Sequence, residues 1–117
     1  VDSLTQAHLV VRALAAKKAQ DILILDLRGL TVIADFFVIA TGSSTLNVRA
    51  LVESVQDAAK KAGVPSRHPE GAGEATWVLL DLGDVIVHVF DAEHREFYQL
   101  ERLWADAPRL PLPEDTP

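Results

Sequence analysis

The sequence predicts a small α/β domain: one mixed β-sheet flanked by helices, in the order α-β-β-α-β-β-α. Segments with apolar residues at helical spacing alternate with short runs rich in β-branched and aromatic residues. The runs form two pairs with a helix between them, which suits a mixed sheet with helices packed mainly on one side. The chain has 117 residues, enough for one core and too few for two.

Residues 3–18 carry Leu4, Ala7, Val11, Leu14 and Ala15 at helical spacing, with Val10 beside them. Ser3 is the expected N-cap, with Gln6 as its capping-box partner. Lys17 and Lys18 are expected in the last turn, where cations suit the helix dipole. Ile22, Leu23, Ile24 and Leu25 form a strand apolar on both faces, the pattern of a strand covered on both sides. Gly29 turns the chain, and residues 36–40 repeat the pattern. Ser44 or Thr45 then caps a helix over residues 46–62. Leu51, Val55, Ala58, Ala59 and Ala62 are its buried face, widened by Val48 and Val52. Gly63, Val64 and Pro65 end it. Residues 65–75 hold two prolines and two glycines, and a mobile loop is expected there.

Residues 77–82 and 85–90 read as a hairpin around Gly83-Asp84, glycine first as a type II′ turn requires. In that register Leu82 faces Val85, and Leu80 faces Val87. One face then carries Val78, Leu80, Leu82, Val85, Val87 and Val89, and must be core. The other carries Trp77, Leu79, Asp81, Ile86, His88 and Phe90, large apolar groups beside an acid and a half-buried histidine. Residues 93–105 are a short helix or pair of turns, with Phe97, Leu100, Leu103 and Trp104 on one stripe. The domain is read as residues 1–106. Residues 107–117 hold four prolines and read as an extended tail, docked at most through Leu110 or Leu112.

Composition excludes several classes of function. Without cysteine there is no disulfide, thiolate zinc site or cysteine nucleophile. No apolar run approaches the roughly 20 residues of a bilayer span, and no basic lead marks a secretory signal, so a cytoplasmic domain is expected. The net charge of −6 argues against wrapping nucleic acid and permits a basic protein partner. Gly42-Ser43 between strand and helix suggests a phosphate cradle. A nucleotidyltransferase, however, needs two carboxylates one residue apart on the next strand, and this chain offers only Asp81 there. No pair of histidines has helical zinc spacing, His88, Asp91 and His94 could meet as a metal triplet only where the chain turns, and Ser43 has no nucleophile elbow for a triad with Asp81 and His88. The residues therefore point to a protein-binding module rather than an enzyme, with no metal or cofactor. The mixed hairpin face is its candidate patch, and an open sheet edge offers a route to homodimers.

Three blocks carry a family resemblance. Residues 35–44 (Asp-Phe-Phe-Val-Ile-Ala-Thr-Gly-Ser-Ser), residues 77–90 from Trp77 to Phe90, and residues 95–104 from Arg95 to Trp104 resemble the signature of the ribosomal silencing factor, or Iojap, family. Glu70-Gly71 fits the acidic-glycine element before the tryptophan strand, and Phe36 stands where the family commonly has tyrosine. The resemblance implies a nucleotidyltransferase-like fold without the catalytic carboxylates. It implies binding to the large ribosomal subunit through its fourteenth protein, so that the small subunit cannot join when nutrients are scarce. It also implies a homodimer when free, and its organellar members point to an alternative role in ribosome assembly. Carried onto this chain, Trp77, Leu79, Asp81, Ile86, His88 and Tyr98 become the interface candidates, with Trp77 as anchor and Asp81 as partner for a basic side chain.

Overall fold

The structure, a computed structural model describing residues 1–114 and 116, has five strands where the sequence suggested four. Its elements are α1 (Ser3–Ala16), β1 (Gln20–Asp26), β2 (Phe36–Gly42), α2 (Thr45–Lys61), β3 (Trp77–Asp81), β4 (Val85–Asp91), α3 (Ala92–Tyr98), α4 (Leu100–Leu103) and β5 (Arg109–Leu110). The sheet order is β3-β4-β2-β1-β5. β1–β2, β3–β4 and β1–β5 are antiparallel, while β2 and β4 run parallel and join the two expected pairs into one mixed sheet. A parallel pairing needs a long crossover, and α2 supplies it.

α1 and α2 lie on one face. Val10, Val11 and Leu14 meet Val48, Leu51 and Val55 over the inward side of the sheet. All six residues assigned to the core face of the hairpin belong to this cluster. The hairpin register is as expected, with Leu80 opposite Val87, and Gly83 alone of the two turn residues has positive φ. A second cluster fills the opposite face, built from Leu25, Leu27, Phe37, Ile39, Ile86 and Phe90, with Leu100 and Ala107 above them.

Several local expectations differ from the structure. Asp2, not Ser3, caps α1, its carboxylate accepting from Thr5 N–H at 2.7 Å. A carboxylate bonds the orphan donors and also suits the positive end of the dipole. Ser3 instead donates to Asp35 at 2.7 Å, fastening the helix to the start of β2. The same helix stops at Ala16, so Lys17 is the C-cap and Lys18 turns left-handed. The stripe Phe97-Leu100-Leu103 is broken, because Gln99 is left-handed between α3 and α4. Leu100 turns into the core while Phe97 and Leu103 turn out.

The segment after α2 is tied down. Glu70 and Leu79 exchange both backbone hydrogen bonds, and Arg67 N–H donates to Asp81 C=O. This covers part of the β3 edge of the sheet. At the other edge, the segment read as a tail supplies β5, two residues flanked by Pro108 and Pro111. Leu110 and Leu112 do pack on the core, while Asp115 and Pro117 lie outside the described residues. Short, proline-flanked or covered edges resist strand addition, so the fold does not favour dimers formed through a sheet edge.

Gly71 holds the edge cover in place. Its φ is +85°, and a Cβ there would sit 2.3 Å from the Trp77 carbonyl oxygen. Backbone cannot retreat as a flexible side chain can. Gly71→Ala should therefore lower stability by at least about 2 kcal/mol in urea unfolding. Gly73→Ala, where a Cβ meets nothing within 4 Å, should leave the midpoint unchanged. Equal effects at the two positions would contradict this account.

Candidate docking face

The mixed face of the hairpin meets α3, and aromatic rings fill the junction. Strand alternation places Trp77, Leu79 and Asp81 on one side of β3, and Ile86, His88 and Phe90 on the same side of β4. Trp77 stacks on Phe90, its neighbour in the ladder, with centroids 5.0 Å apart and planes at 25°. Tyr98 packs beside Trp77, tilted, at 4.8 Å, and Phe97 meets Tyr98 edge-on at 5.0 Å. Trp77 Nε1–H donates to His88 Nδ1 at 3.1 Å, and Phe37 packs edge-on to His88 at 4.6 Å.

The six expected site residues do not form one surface. Trp77, Leu79, His88 and Tyr98 come together. Asp81 stands four residues along the strand, roughly 13 Å from Trp77 at the rise of a strand. Its carboxylate accepts from Gly83 N–H at 2.7 Å and sits 3.8 Å from the Arg67 guanidinium, so it supports the turn. Ile86 is 8 % exposed and His88 only 3 %. His88 is thus a buried residue, not the half-buried surface histidine expected, and neither side chain faces solvent. Alternation assigned both to the correct face, but that face is largely covered by the chain after β4. The outer surface is instead Trp77 and Leu79, partly buried, with Tyr98, Phe97 and Leu103 exposed beside them. Phe97, 76 % exposed, was missed because the sequence gives no sign that Gln99 breaks the helix.

The position of α3 is fixed by polar contacts at both ends. Asp91 caps it, accepting from His94 N–H and contacting His94 Nδ1, each at 2.8 Å. Arg95 reaches back across the sheet. It donates to Asp21 C=O at 2.6 Å, Thr41 Oγ1 at 2.9 Å and Glu101 at 3.2 Å. Asp21 is left-handed within the bulge at the start of β1, and its carbonyl is free to meet the guanidinium there. No sequence signal marked Arg95 beyond its place in the last block.

The suggested phosphate cradle is already filled. Ser43 N–H donates to Asn47 Oδ1 at 3.0 Å, and Asn47 N–H donates to Ser44 Oγ at 3.0 Å. Gly42 is required by packing, since a Cβ there would lie 2.7 Å from Val48 Cγ2. Among the described residues no group of three His, Asp or Glu could hold a metal, and no helix is long and apolar enough to cross a membrane. Asp91 is engaged by His94 while His88 turns to Trp77, so the three do not converge. Ser43 follows the last residue of β2, whereas Asp81 lies beside the start of that strand, which separates the imagined triad.

Known proteins share this architecture. A family model described as "Ribosomal silencing factor during starvation" matches residues 1–117. The Ribosomal silencing factor RsfS of Bacillus subtilis is 48 % identical over 96 residues, covering 82 % of this chain and 81 % of that protein. A crystal structure from Chromobacterium violaceum superposes with a TM-score of 0.88 at 35 % identity, covering 99 % of this chain and 96 % of the other. One from Bacillus halodurans gives 0.84 at 37 %, covering 94 % and 100 %.

Burial lowers the pKa of His88 from 6.5 to about 4. The folded imidazole therefore takes its proton only near pH 4, while the unfolded chain takes it near 6.5. Between those values the unfolded state binds the extra proton, so stability falls as pH falls. The contribution is complete above pH 6.5 and is lost towards pH 4. Unfolding at pH 5 should show a stability about 2 kcal/mol below that at pH 7. His88→Leu should lose most of that slope, and an unchanged slope would assign it to other groups.

Proposed function

The chain belongs to the ribosomal silencing factor family, and from that membership we propose that it represses translation by docking on the large ribosomal subunit through the face at Trp77 and Tyr98. The partner we infer is the basic fourteenth protein of that subunit. With the chain seated there, the small subunit is blocked sterically from joining, a step suited to nutrient limitation. The observation that carries this reading is the aromatic cluster itself. Trp77, Tyr98 and Phe97 form a contiguous set of rings that the chain leaves open on its outer side. Rigid aromatic anchors surrounded by polar groups are the make-up of protein interfaces.

The electrostatics support a basic partner. The net charge is −6, and Asp81, Glu93 and Glu96 lie on the elements around the rings. Such charge steers encounter more than it holds the complex. A free homodimer would use the same rings, since both sheet edges are short or covered. Dimer and ribosome binding would then compete. A role limited to assembly of the large subunit would use the same face on precursor particles, and association with precursors alone would favour it.

Purified large subunits, sedimented with this chain and then given small subunits, test the proposal. The chain should pellet with large subunits and reduce subunit joining. Trp77→Ala, checked for folding by circular dichroism, should weaken cosedimentation by about 30-fold or more, the loss of an anchor worth about 2 kcal/mol. A folded variant that binds and blocks like the parent removes Trp77 as anchor. Asp81→Lys should weaken binding more at low salt than at high salt, because Asp81 stands away from the rings and would act through long-range charge that salt screens. An equal loss at all ionic strengths would place Asp81 inside the contact.

A further inference from the structure

The proposed anchor has one polar atom, and it is turned inward. Trp77 Nε1 lies 3.1 Å from His88 Nδ1. An indole N–H can only donate, so Nδ1 must be the unprotonated nitrogen, and His88 is neutral with its proton on Nε2. The β4 ladder between β2 and β3 fixes the backbone of His88, and burial with Phe37 edge-on to the ring restricts the imidazole.

Stacking alone does not fix the indole. Phe90 beneath and Tyr98 beside Trp77 set the plane of the ring, but stacked contact tolerates a half-turn about its Cβ–Cγ bond, which keeps that plane. The two orientations differ in which edge faces the partner and whether an N–H is presented. The side-chain torsion that separates them is broad and roughly two-fold. A hydrogen bond to one edge selects between them, and His88 supplies the acceptor.

Packing does not explain a histidine at this position. His88 Nε2 has no partner among the described residues. An unsatisfied buried donor costs stability, and leucine would fill the space without that cost. What leucine cannot supply is an acceptor for Trp77.

We propose that His88 is a positioning residue for docking. It does not touch the partner. It holds the Trp77 N–H inward, so that the partner meets the carbocyclic edge and outer face of the indole with no donor on offer. The complementary group on the partner is then an aliphatic side chain or the stem and cation of a basic one, not a carbonyl or carboxylate. This deepens the docking reading and rests on it for the binding half of its test.

The test joins indole NMR with cosedimentation, in a Trp104→Phe background so that one indole signal remains. In the parent chain, the nitrogen spectrum should show His88 with a bare Nδ1, a measurement that needs no variant to fold. In His88→Leu, the Trp77 Nε1–H signal should move upfield and exchange faster with water. Large-subunit binding should weaken about 3- to 10-fold, the range of one neutral hydrogen bond. His88→Asn, which offers a carbonyl near the position of Nδ1, should restore the indole signal and bring binding to within about 2-fold of the parent. A protonated Nδ1, an indole signal unmoved in His88→Leu, or a moved signal with unchanged binding would each overturn the proposal. If Trp77→Ala itself binds normally, the docking reading fails and takes the binding half with it, while the indole signal still decides whether His88 orients the ring.

Discussion

β2 has no polar side. Every residue from Phe36 to Gly42 is buried, so the sheet it centres must be covered above and below. On one face this is done by two long helices, α1 with 14 residues and α2 with 17. On the other, the chain has only α3 and α4, of seven and four residues, with the β1–β2 loop and Ala107. Each large apolar side chain taken fully from water contributes roughly 1.5–3 kcal/mol, so the strongest demand is over Phe37, Ile39 and Phe90. The cover reaches them and stops short of the outer rings. Trp77 is half-covered, and Tyr98 and Phe97 stand at the margin. The proposed docking face is the part of a two-sided sheet that the chain cannot finish covering.

The arrangement of that margin depends on distant contacts. β2 and β4 run parallel, so α3 leaves the sheet at the end where β1 begins. Arg95 exploits this by reaching the carbonyl of Asp21, 74 positions earlier in the chain. A guanidinium with several donors in a fixed fork can satisfy a backbone carbonyl, a hydroxyl and a carboxylate together, which an ammonium cannot match in geometry. The bulge at Asp21, the Asp91 cap and the Arg95 fork together set where Tyr98 rests on Trp77. A change in any of them moves a ring without touching one.

Sequence patterning made much of this visible. Strand alternation sorted all twelve hairpin residues to the correct faces, because a two-residue turn with glycine first leaves no freedom of register. The all-apolar strands announced burial on both sides, and the blocks carrying the family resemblance fell on β2, the hairpin and α3–α4. What the sequence did not show was depth. Whether Ile86 and His88 reach solvent depends on how closely α4 and Ala107 lie over them, a tertiary fact without a local pattern. Gln99 is left-handed although neither glycine nor asparagine marks the position, so the reading of a short helix or pair of turns still placed Phe97, Leu100 and Leu103 on one stripe. Asp2 and Ser3 are both good caps, and Asp35 decides between them by taking the Ser3 hydroxyl. β5 escaped notice because two residues between prolines carry no periodicity.

Exposed rings at a sheet margin invite self-association, and the charge of the chain bears on that hazard. A net charge of −6 opposes close approach of two copies and favours approach to a basic surface. Self-association and the proposed docking would then differ in their electrostatic terms. Rising salt would screen both repulsion between copies and attraction to a basic partner, so it would favour self-association over the proposed docking. Apolar burial would contribute to both complexes, whereas charge separates them. In the proposed docking, Trp77 would supply contact area, the surrounding acids would favour a basic partner, and His88 below the surface would set which edge of the anchor that partner meets.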